Sequence, residues 1–208
     1  MHAILSRRAA LQGVAVLVAS PATAKTLGFT QPLTMGPFYP LQKPADRDTD
    51  LTHVRGHNRR ALGEVIEVTG RVINTRGQPI AGAHIELWQA NAAGRYFHPS
   101  DKNTAPLDPN FQGYASFHAS QSGDYRYLTI KPGAYPGPRG MRTPHIHLEV
   151  VGKFDRLVTQ MFFPGELLNA TDVVMKDLDD PTTGLAIPAG VSETGVERFR
   201  WDIILHTG

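Results

Sequence analysis

Short runs rich in β-branched and aromatic residues, each bounded by glycine or proline, recur from residue 63 to the C-terminus. Such runs are typical of strands, whereas helices need longer apolar periodicity. The 20 Gly and 16 Pro among 208 residues strengthen this preference. A chain of this length can bury one substantial core. We therefore predict an all-β fold, a β-sandwich of about seven or eight strands, with long loops between them.

The alternating runs predict where the strands lie. The predicted strands are 65–73, 83–89, 114–119, 125–130, 145–151, 157–163 and 198–205. The first two are expected to form a hairpin-like pair. In the second, His84, Glu86 and Trp88 share one face and Ile85 and Leu87 the other. A short helical stretch is expected near 172–178.

Residues 1–24 have the pattern of a twin-arginine signal peptide. Arg7 and Arg8 precede an apolar run at 13–19, and Ala22-Thr23-Ala24 supplies a cleavage site. The run is too short to span a bilayer, so no stable membrane span is expected after cleavage. This predicts a periplasmic or secreted protein. An uncleaved signal anchor, or a chance basic N-terminus, is the alternative.

Residues 25–62 lack periodicity and contain four prolines between positions 32 and 44. We predict an extended arm that lies over the domain or over a neighbouring subunit. Within it, Phe38 and Tyr39 are either packing anchors or part of a site entrance.

Charge and cysteine content exclude several classes of function. A net charge of +2, partly from Arg7 and Arg8, gives no basis for nucleic-acid binding. Without cysteine the chain has no disulfide, thiolate metal site or thiol nucleophile. Any metal must therefore be bound by His, Tyr, Asp or Glu.

Four residues form a candidate metal-ligand set. His145 and His147 are two apart on a predicted strand, so their imidazoles point to one face. Tyr96 and Tyr135 lie in Gly/Pro-rich loops, away from the strand alternation. Each feature alone is more commonly structural: a bonded His pair, or a loop-anchoring Tyr. Together they favour Fe(III), because a phenol with a pKa near 10 needs a strong Lewis acid to become a phenolate.

The sequence motifs around these residues resemble those of the intradiol ring-cleavage dioxygenases, in particular the iron-bearing chain of protocatechuate 3,4-dioxygenases. The resemblance covers about residues 34–205. The motifs that carry it are Trp88-Gln89-Ala90-Asn91 with Gly94-Arg95-Tyr96, Pro106–Phe111, Thr129–Gly133 with Tyr135-Pro136, and Arg142 with His145-Ile146-His147.

The resemblance implies that residues 63–208 are an intradiol dioxygenase domain with non-haem Fe(III) as its cofactor. Tyr96 and His147 would be equatorial ligands, and Tyr135 and His145 axial ones. Tyr135 would leave the iron when substrate binds. Arg142 would lie beside the bound diol, and Gln160 would lie near the ring as an outer residue.

The resemblance further implies that the chain cleaves a small aromatic diol with O2, protocatechuate or else catechol or hydroxyquinol, to a cis,cis-muconate-type dicarboxylate. It implies an oligomer, of one chain type or with a second. Gly137 replaces a tryptophan, so a more open pocket is expected there. Arg139 is a candidate for binding a substrate carboxylate.

Two alternatives come from other classes of protein. One is a non-catalytic, transthyretin-like β-sandwich binding module, in which the four residues need not converge. The other is an Fe(II) dioxygenase of the cupin type, which needs a carboxylate ligand, and Glu149 is the nearby candidate.

Overall fold

A computed structural model describes residues 26–207 of the protein. The twin-arginine pattern and its cleavage site lie outside this part of the chain. Within it there are eleven strands and three short 3-10 helices, with no α-helix. No helix among residues 26–207 is long and apolar enough to cross a membrane.

The strands form two main sheets and a separate hairpin. They are β1 (Val65–Asn74), β2 (His84–Trp88), β3 (Tyr114–His118), β4 (Asp124–Ile130), β5 (Tyr135–Gly137), β6 (Gly140–Arg142), β7 (His145–Val151), β8 (Arg156–Phe162), β9 (Ile187–Val191), β10 (Glu197–Arg200) and β11 (Ile203–Leu205). Sheet 1 is built on β1, which pairs with β4, β10 and β11, and β10 pairs with β9. Sheet 2 has the order β3-β2-β7-β8, and β5 pairs with β6.

The all-β sandwich is confirmed, with corrections to its details. The two main sheets contain nine strands in the described residues. The predicted strand 198–205 is broken at Trp201 and Asp202 into β10 and β11, and β9 was not predicted. The predicted helical stretch is the 3-10 turn Met175–Asp177.

The predicted hairpin between the first two strands is wrong. After the turn at 74–79 the chain crosses from one sheet of the sandwich to the other. The segment that links β1 to β2 makes this crossing with Ile80 and Ala83 buried in the core. The turn does reverse the chain locally, since Ile73 and Pro79 form a bridge. β1 and β2 nevertheless belong to different sheets.

The main core lies between the sheets. Ile85 and Leu87 on β2 and Ile146, Leu148 and Val150 on β7 all point into it and are fully buried. Strand alternation then directs Trp88, His145 and His147 to the opposite, outer face of sheet 2. These three are also buried, so something else covers that face.

The N-terminal arm supplies part of the cover. Its backbone hydrogen-bonds to successive strand edges: Thr30 N to Ile204 O, Leu33 N to Val158 O, and Leu128 N to Thr49 O. Thr34 and Phe38 then lie over the outer face of sheet 2, against Gln160 and Tyr96. The part of the arm that is described thus packs on its own domain, one of the two expected arrangements.

Candidate metal centre

The strand register places three site residues side by side on the outer face of sheet 2. Trp88 on β2 pairs with His147 on β7, which pairs with Gln160 on β8. The Trp88 and His147 rings are stacked, with centroids 4.9 Å apart and planes 7° apart. Adjacent strands therefore fix the position of the His147 imidazole.

The His145 and His147 imidazoles converge on one point. Their Nε2 atoms are 3.2 Å apart, and both side chains are almost completely buried. His145 Nδ1 lies 2.7 Å from the Thr143 carbonyl oxygen. A carbonyl accepts only, so Nδ1 carries the proton and His145 Nε2 presents a lone pair.

Tyr96 and Tyr135 reach the same point from two loops that contact each other. Gly133 N donates to Asn91 O at 2.9 Å. Gly94 has φ +77°, and a Cβ there would lie 2.2 Å from the Ala134 carbonyl oxygen. Glycine at 94 is therefore required for the close approach of the loops.

The hydroxyl of Tyr135 lies 3.3 Å from His145 Nε2. The Tyr96 and Tyr135 rings meet edge to face at 5.3 Å, and the Tyr96 hydroxyl is buried without a hydrogen-bond partner among the described residues. The structure thus brings all four predicted ligands together.

Burial controls the protonation of these groups. Burial raises the pKa of Tyr96 well above its usual value, and the neighbouring Tyr135 raises it further. Burial also raises the pKa of Tyr135, although the positive charge of Arg142 acts in the opposite direction. Burial also lowers the pKa of His145 to about 3 and that of His147 well below its usual value. Without a metal, two neutral phenols and two neutral imidazoles occupy the site.

This donor set fits ferric iron. Two neutral imidazole nitrogens with a shared focus are ready ligands, and the orphaned Tyr96 hydroxyl lacks the partner that a buried polar group normally has. Phenolates are hard, anionic donors that suit a trivalent ion. Tyr96, Tyr135, His145 and His147 are therefore the residues that would hold it.

The Fe(II) alternative lacks its third ligand. Among residues 26–207, no three His, Cys, Asp or Glu side chains come close enough to hold a metal. Glu149 lies on β7 opposite Glu86 and forms an ion pair with Arg156 at 2.6 Å. The Glu149 carboxylate is thus bound to Arg156 and does not join the His pair.

Arg142 is held in place by a buried network next to the ligands. Its Nε donates to Asp172 Oδ2 at 2.9 Å and its Nη2 to Gln160 Oε1 at 2.6 Å. Gln160 in turn donates from Nε2 to the Thr34 carbonyl oxygen at 2.8 Å. The oxygen and the nitrogen of the Gln160 amide are both hydrogen-bonded within the protein. This side chain therefore links the arm to Arg142 and supports the site indirectly.

The β5–β6 hairpin contains Gly137 and Arg139, the two residues with an expected effect on substrate binding. A Cβ on Gly137 would lie 2.8 Å from Arg142 Cγ, so the stem of Arg142 packs against Gly137, and the more open pocket stays a prediction. Arg139 is exposed and pairs with Asp177 at 3.3 Å.

Sequence reasoning missed two groups that support the site. Asp172 is a single acidic residue in an irregular segment, and Thr143 acts through its backbone. Neither has a signal in a single sequence, because only the tertiary fold brings them to Arg142 and His145. Of the two roles expected for Phe38, packing anchor or part of a site entrance, the structure shows packing, since its ring centroid lies 4.7 Å from that of Tyr96.

A cavity of about 560 Å³ adjoins the site. Phe38 and residues 40–44 of the arm line it, together with Trp88 and parts of the segment that follows β2, including Tyr96. His145, His147 and Arg142 do not line it. Leu41 and Phe97 at its rim are 76% and 92% exposed, which leaves an apolar surface around its mouth.

Comparisons with known proteins agree with this geometry. A family model described as "Dioxygenase" matches residues 34–207. The protocatechuate 3,4-dioxygenase beta chain of Burkholderia cepacia is 47% identical over 82% of this chain and 76% of its own length. The hydroxyquinol 1,2-dioxygenase of Rhizobium sp. (strain MTP-10005) is 30% identical over 78% of this chain, which spans 57% of that enzyme.

Solved structures show the same fold. The dioxygenase domain of a dioxygenase and carbohydrate-binding fusion from Streptomyces sp. SirexAA-E is 26% identical with a TM-score of 0.67, covering 87% of this chain and all of that one. The 3-chlorocatechol 1,2-dioxygenase of Rhodococcus opacus 1CP is 19% identical with a TM-score of 0.69, covering 89% of this chain and 75% of that one. The latter likeness concerns the fold alone.

Proposed function

Since the chain belongs to the intradiol ring-cleavage dioxygenase family, which uses non-haem Fe(III), we propose that its substrate is protocatechuate or a similar dihydroxybenzoate. The product is then a cis,cis-muconate-type dicarboxylate. The observation that carries the proposal is the convergence of two phenols and two imidazoles beside Arg142. The 47% identity to a protocatechuate 3,4-dioxygenase beta chain supports the substrate class over catechol or hydroxyquinol.

The residues of the site divide the chemical work. Ferric iron, when bound, would supply a Lewis acid that favours the deprotonated diol and draws electron density from its ring, which gives the ring the radical character needed to react with O2. As a phenolate, the form that binding to iron would favour, Tyr135 would be the group placed to accept a proton from a diol hydroxyl. Its position at 4% exposure keeps bulk water away from that transfer.

Arg142 supplies fixed positive charge. Its guanidinium stays protonated in a protein, and its Nε and Nη2 are already engaged. Its Nη1 donates to no group among the described residues, which leaves it available to the substrate. We expect Arg142 to stabilise negative charge that develops on the diol and its ring.

A dihydroxybenzoate also has a carboxylate that must be bound, and Arg139 remains our candidate for it. Arg139→Met should raise the KM for protocatechuate about tenfold while leaving that for catechol unchanged, because only the former has the carboxylate. Asp177→Asn is the matched control, since it removes the partner of Arg139 and keeps the cation. Equal effects on both substrates would contradict this role.

The activity itself is tested by supplying protocatechuate, catechol and hydroxyquinol with O2 to the iron-loaded protein. We expect the highest kcat/KM with protocatechuate and an intradiol product identified by mass spectrometry. A preference for catechol or hydroxyquinol would contradict the proposed substrate, and extradiol products would contradict the position of cleavage.

The oligomeric partner is proposed to be a second chain type. The similar protein from Burkholderia cepacia is called a beta chain, and the exposed Leu41 and Phe97 around the cavity provide an apolar surface for a partner. Light scattering of the purified chain, alone and co-expressed with an alpha chain of a protocatechuate 3,4-dioxygenase, tests this. A stable, fully active assembly of this chain alone would contradict it.

We also propose that the protein is exported by the twin-arginine route, supported by Arg7, Arg8 and the Ala22-Thr23-Ala24 site. Fractionation should find the processed chain outside the cytoplasm. The Arg7→Lys, Arg8→Lys double variant should remain inside. Equal distribution of the two proteins would contradict export by this route.

A further inference from the structure

Asp172 is a fully buried carboxylate that the proposed chemistry does not use directly. It accepts four hydrogen bonds from the described residues. Oδ1 accepts from Val174 N and Met175 N, both at 2.9 Å. Oδ2 accepts from Arg142 Nε at 2.9 Å and Thr143 N at 2.8 Å.

The two oxygens serve different parts of the molecule. The Oδ1 bonds are local and shape the turn at the start of the 3-10 helix Met175–Asp177. The Oδ2 bonds reach 29 and 30 residues back along the chain, to the link between β6 and β7. That link begins at Arg142 and leads to His145, whose Nδ1 donates to Thr143 O.

We propose that Asp172 is a positioning residue, which acts mainly by holding the Arg142 guanidinium against the diol and, through Thr143, also helps to orient His145. This inference rests on the proposed function. A single carboxylate oxygen, Asp172 Oδ2, thus fixes the position of the Arg142 guanidinium and that of the Thr143 backbone, to which the His145 imidazole is bonded. Outer groups of this kind orient the residues that perform the chemistry.

The ionised form of Asp172 suits this role. Burial alone raises the pKa of its carboxyl, but hydrogen bonds from Met175 and Thr143 and the charge of Arg142 outweigh burial and lower it. Arg142 is itself buried, and a buried guanidinium needs a countercharge. The pair is therefore mutually dependent.

A second Arg–Asp pair provides a matched contrast. Arg139 and Asp177 belong to the same hairpin and the same downstream segment, but both side chains are more than half exposed. Exposed pairs contribute little because solvent screens them. Asp177→Asn therefore controls for loss of an Arg–Asp pair in this region.

The sharpest variant is Asp172→Asn, which keeps the shape of the side chain. If its oxygen faces Val174 and Met175, its NH2 group opposes the donors of Arg142 and Thr143. The opposite orientation places that NH2 group against the two backbone N–H groups instead. In either case two donor pairs conflict, so the bonds at both ends cannot be kept.

The experiment is a double-mutant cycle on the iron-loaded protein, with Asp172→Asn, Arg142→Met and the double variant. We measure kcat/KM for the preferred diol, the dissociation constant of that diol without O2, the iron content and the thermal unfolding midpoint. Asp172→Asn should lower kcat/KM roughly 10- to 100-fold. Its iron content should be retained, and Asp177→Asn should stay within about twofold of wild type.

The cycle separates positioning from general support of the fold. If Asp172 acts mainly through Arg142, the double variant is little worse than Arg142→Met alone, whose diol binding is already weakened. Independent, multiplicative losses in the double variant would overturn the proposal. So would an Asp172→Asn protein that behaves like Asp177→Asn.

A further variant covers the case in which Asp172→Asn does not fold. Asp172→Glu keeps the charge but displaces the carboxylate by one methylene, so it should lower kcat/KM and weaken diol binding; wild-type values would overturn the proposal. Failure of the proposed function has a different signature. In that case the wild-type protein itself cleaves none of the diols.

Discussion

The two faces of sheet 2 are built from the same strands and do different work. On β7, Ile146, Leu148 and Val150 face the sandwich core, and His145 and His147 face outward. Sheet 1 buries the inner face, and the arm and loops bury the outer face around His145 and His147. The inner face therefore supplies stability, whereas the outer face presents polar groups for the site.

His147→Ala should have the largest effect on function. It removes a ligand from the outer face, so activity should fall by more than the roughly 10- to 100-fold associated with loss of an outer supporting group. Iron content, measured by elemental analysis, should fall with it. The iron-free unfolding midpoint should change less than in a core variant, because among the described residues the ring nitrogens of His147 have a single polar contact to lose, with His145 Nε2.

Ile146→Ala is the matched change on the inner face, one residue away. Removing a fully buried isoleucine side chain should cost about 2–5 kcal/mol in the free energy of unfolding, measured by urea denaturation. Protein that remains folded should keep its iron and its kcat. Loss of iron from folded Ile146→Ala protein would show that the two faces are not separable.

Tyr135→Phe distinguishes the roles of the two tyrosines. We expect iron to be retained by the other three ligands, while diol binding, followed by stopped-flow absorbance, slows about 100-fold because the base is lost. Loss of all iron would argue against a departing ligand. Unchanged activity would remove Tyr135 from the mechanism.

Lys43→Met tests the far end of the outer face, where buried Glu86 accepts hydrogen bonds from Lys43 and Tyr39. Burial raises the pKa of Glu86, but these bonds outweigh burial and lower it. The variant should lose about 1 kcal/mol of stability at pH 7 with activity unchanged.

The sign of the pH dependence follows from the lowered pKa of Glu86. The stabilisation by Lys43 is present above the unfolded-state pKa of about 4.3 and is lost as pH falls through the lower folded-state value. The difference in unfolding midpoint between wild type and variant should therefore stay constant from pH 7 to about pH 5 and shrink as the pH falls below about 4. A difference that grows on acidification would contradict this account.

The inner face was far easier to predict than the outer one. Alternation in 145–151 and the placement of Ile85 and Leu87 on one face of their strand are local properties, and the structure confirms both. The convergence of Tyr96 with His147 depends on two loops in contact through Gly94, and Asp172 reaches Arg142 from 30 residues away. Such contacts leave no periodic signal, so the ligand set was found through residue types and resemblance.

The crossing from β1 to β2 shows the same limit. A turn at 74–79 is evident from its Asn, Gly and Pro, but turn chemistry does not say which sheet the next strand joins. That choice depends on how Ile80 and Ala83 pack in the core.

The visible absorption spectrum of the protein loaded with ferric iron tests the central claim most directly. If Tyr96 and Tyr135 bind iron as phenolates, the protein should be red-brown through phenolate-to-iron charge transfer. The band should change when either tyrosine is replaced by phenylalanine and when a diol is added without O2. A protein that binds one equivalent of Fe(III) and stays colourless would contradict the proposed ligand set.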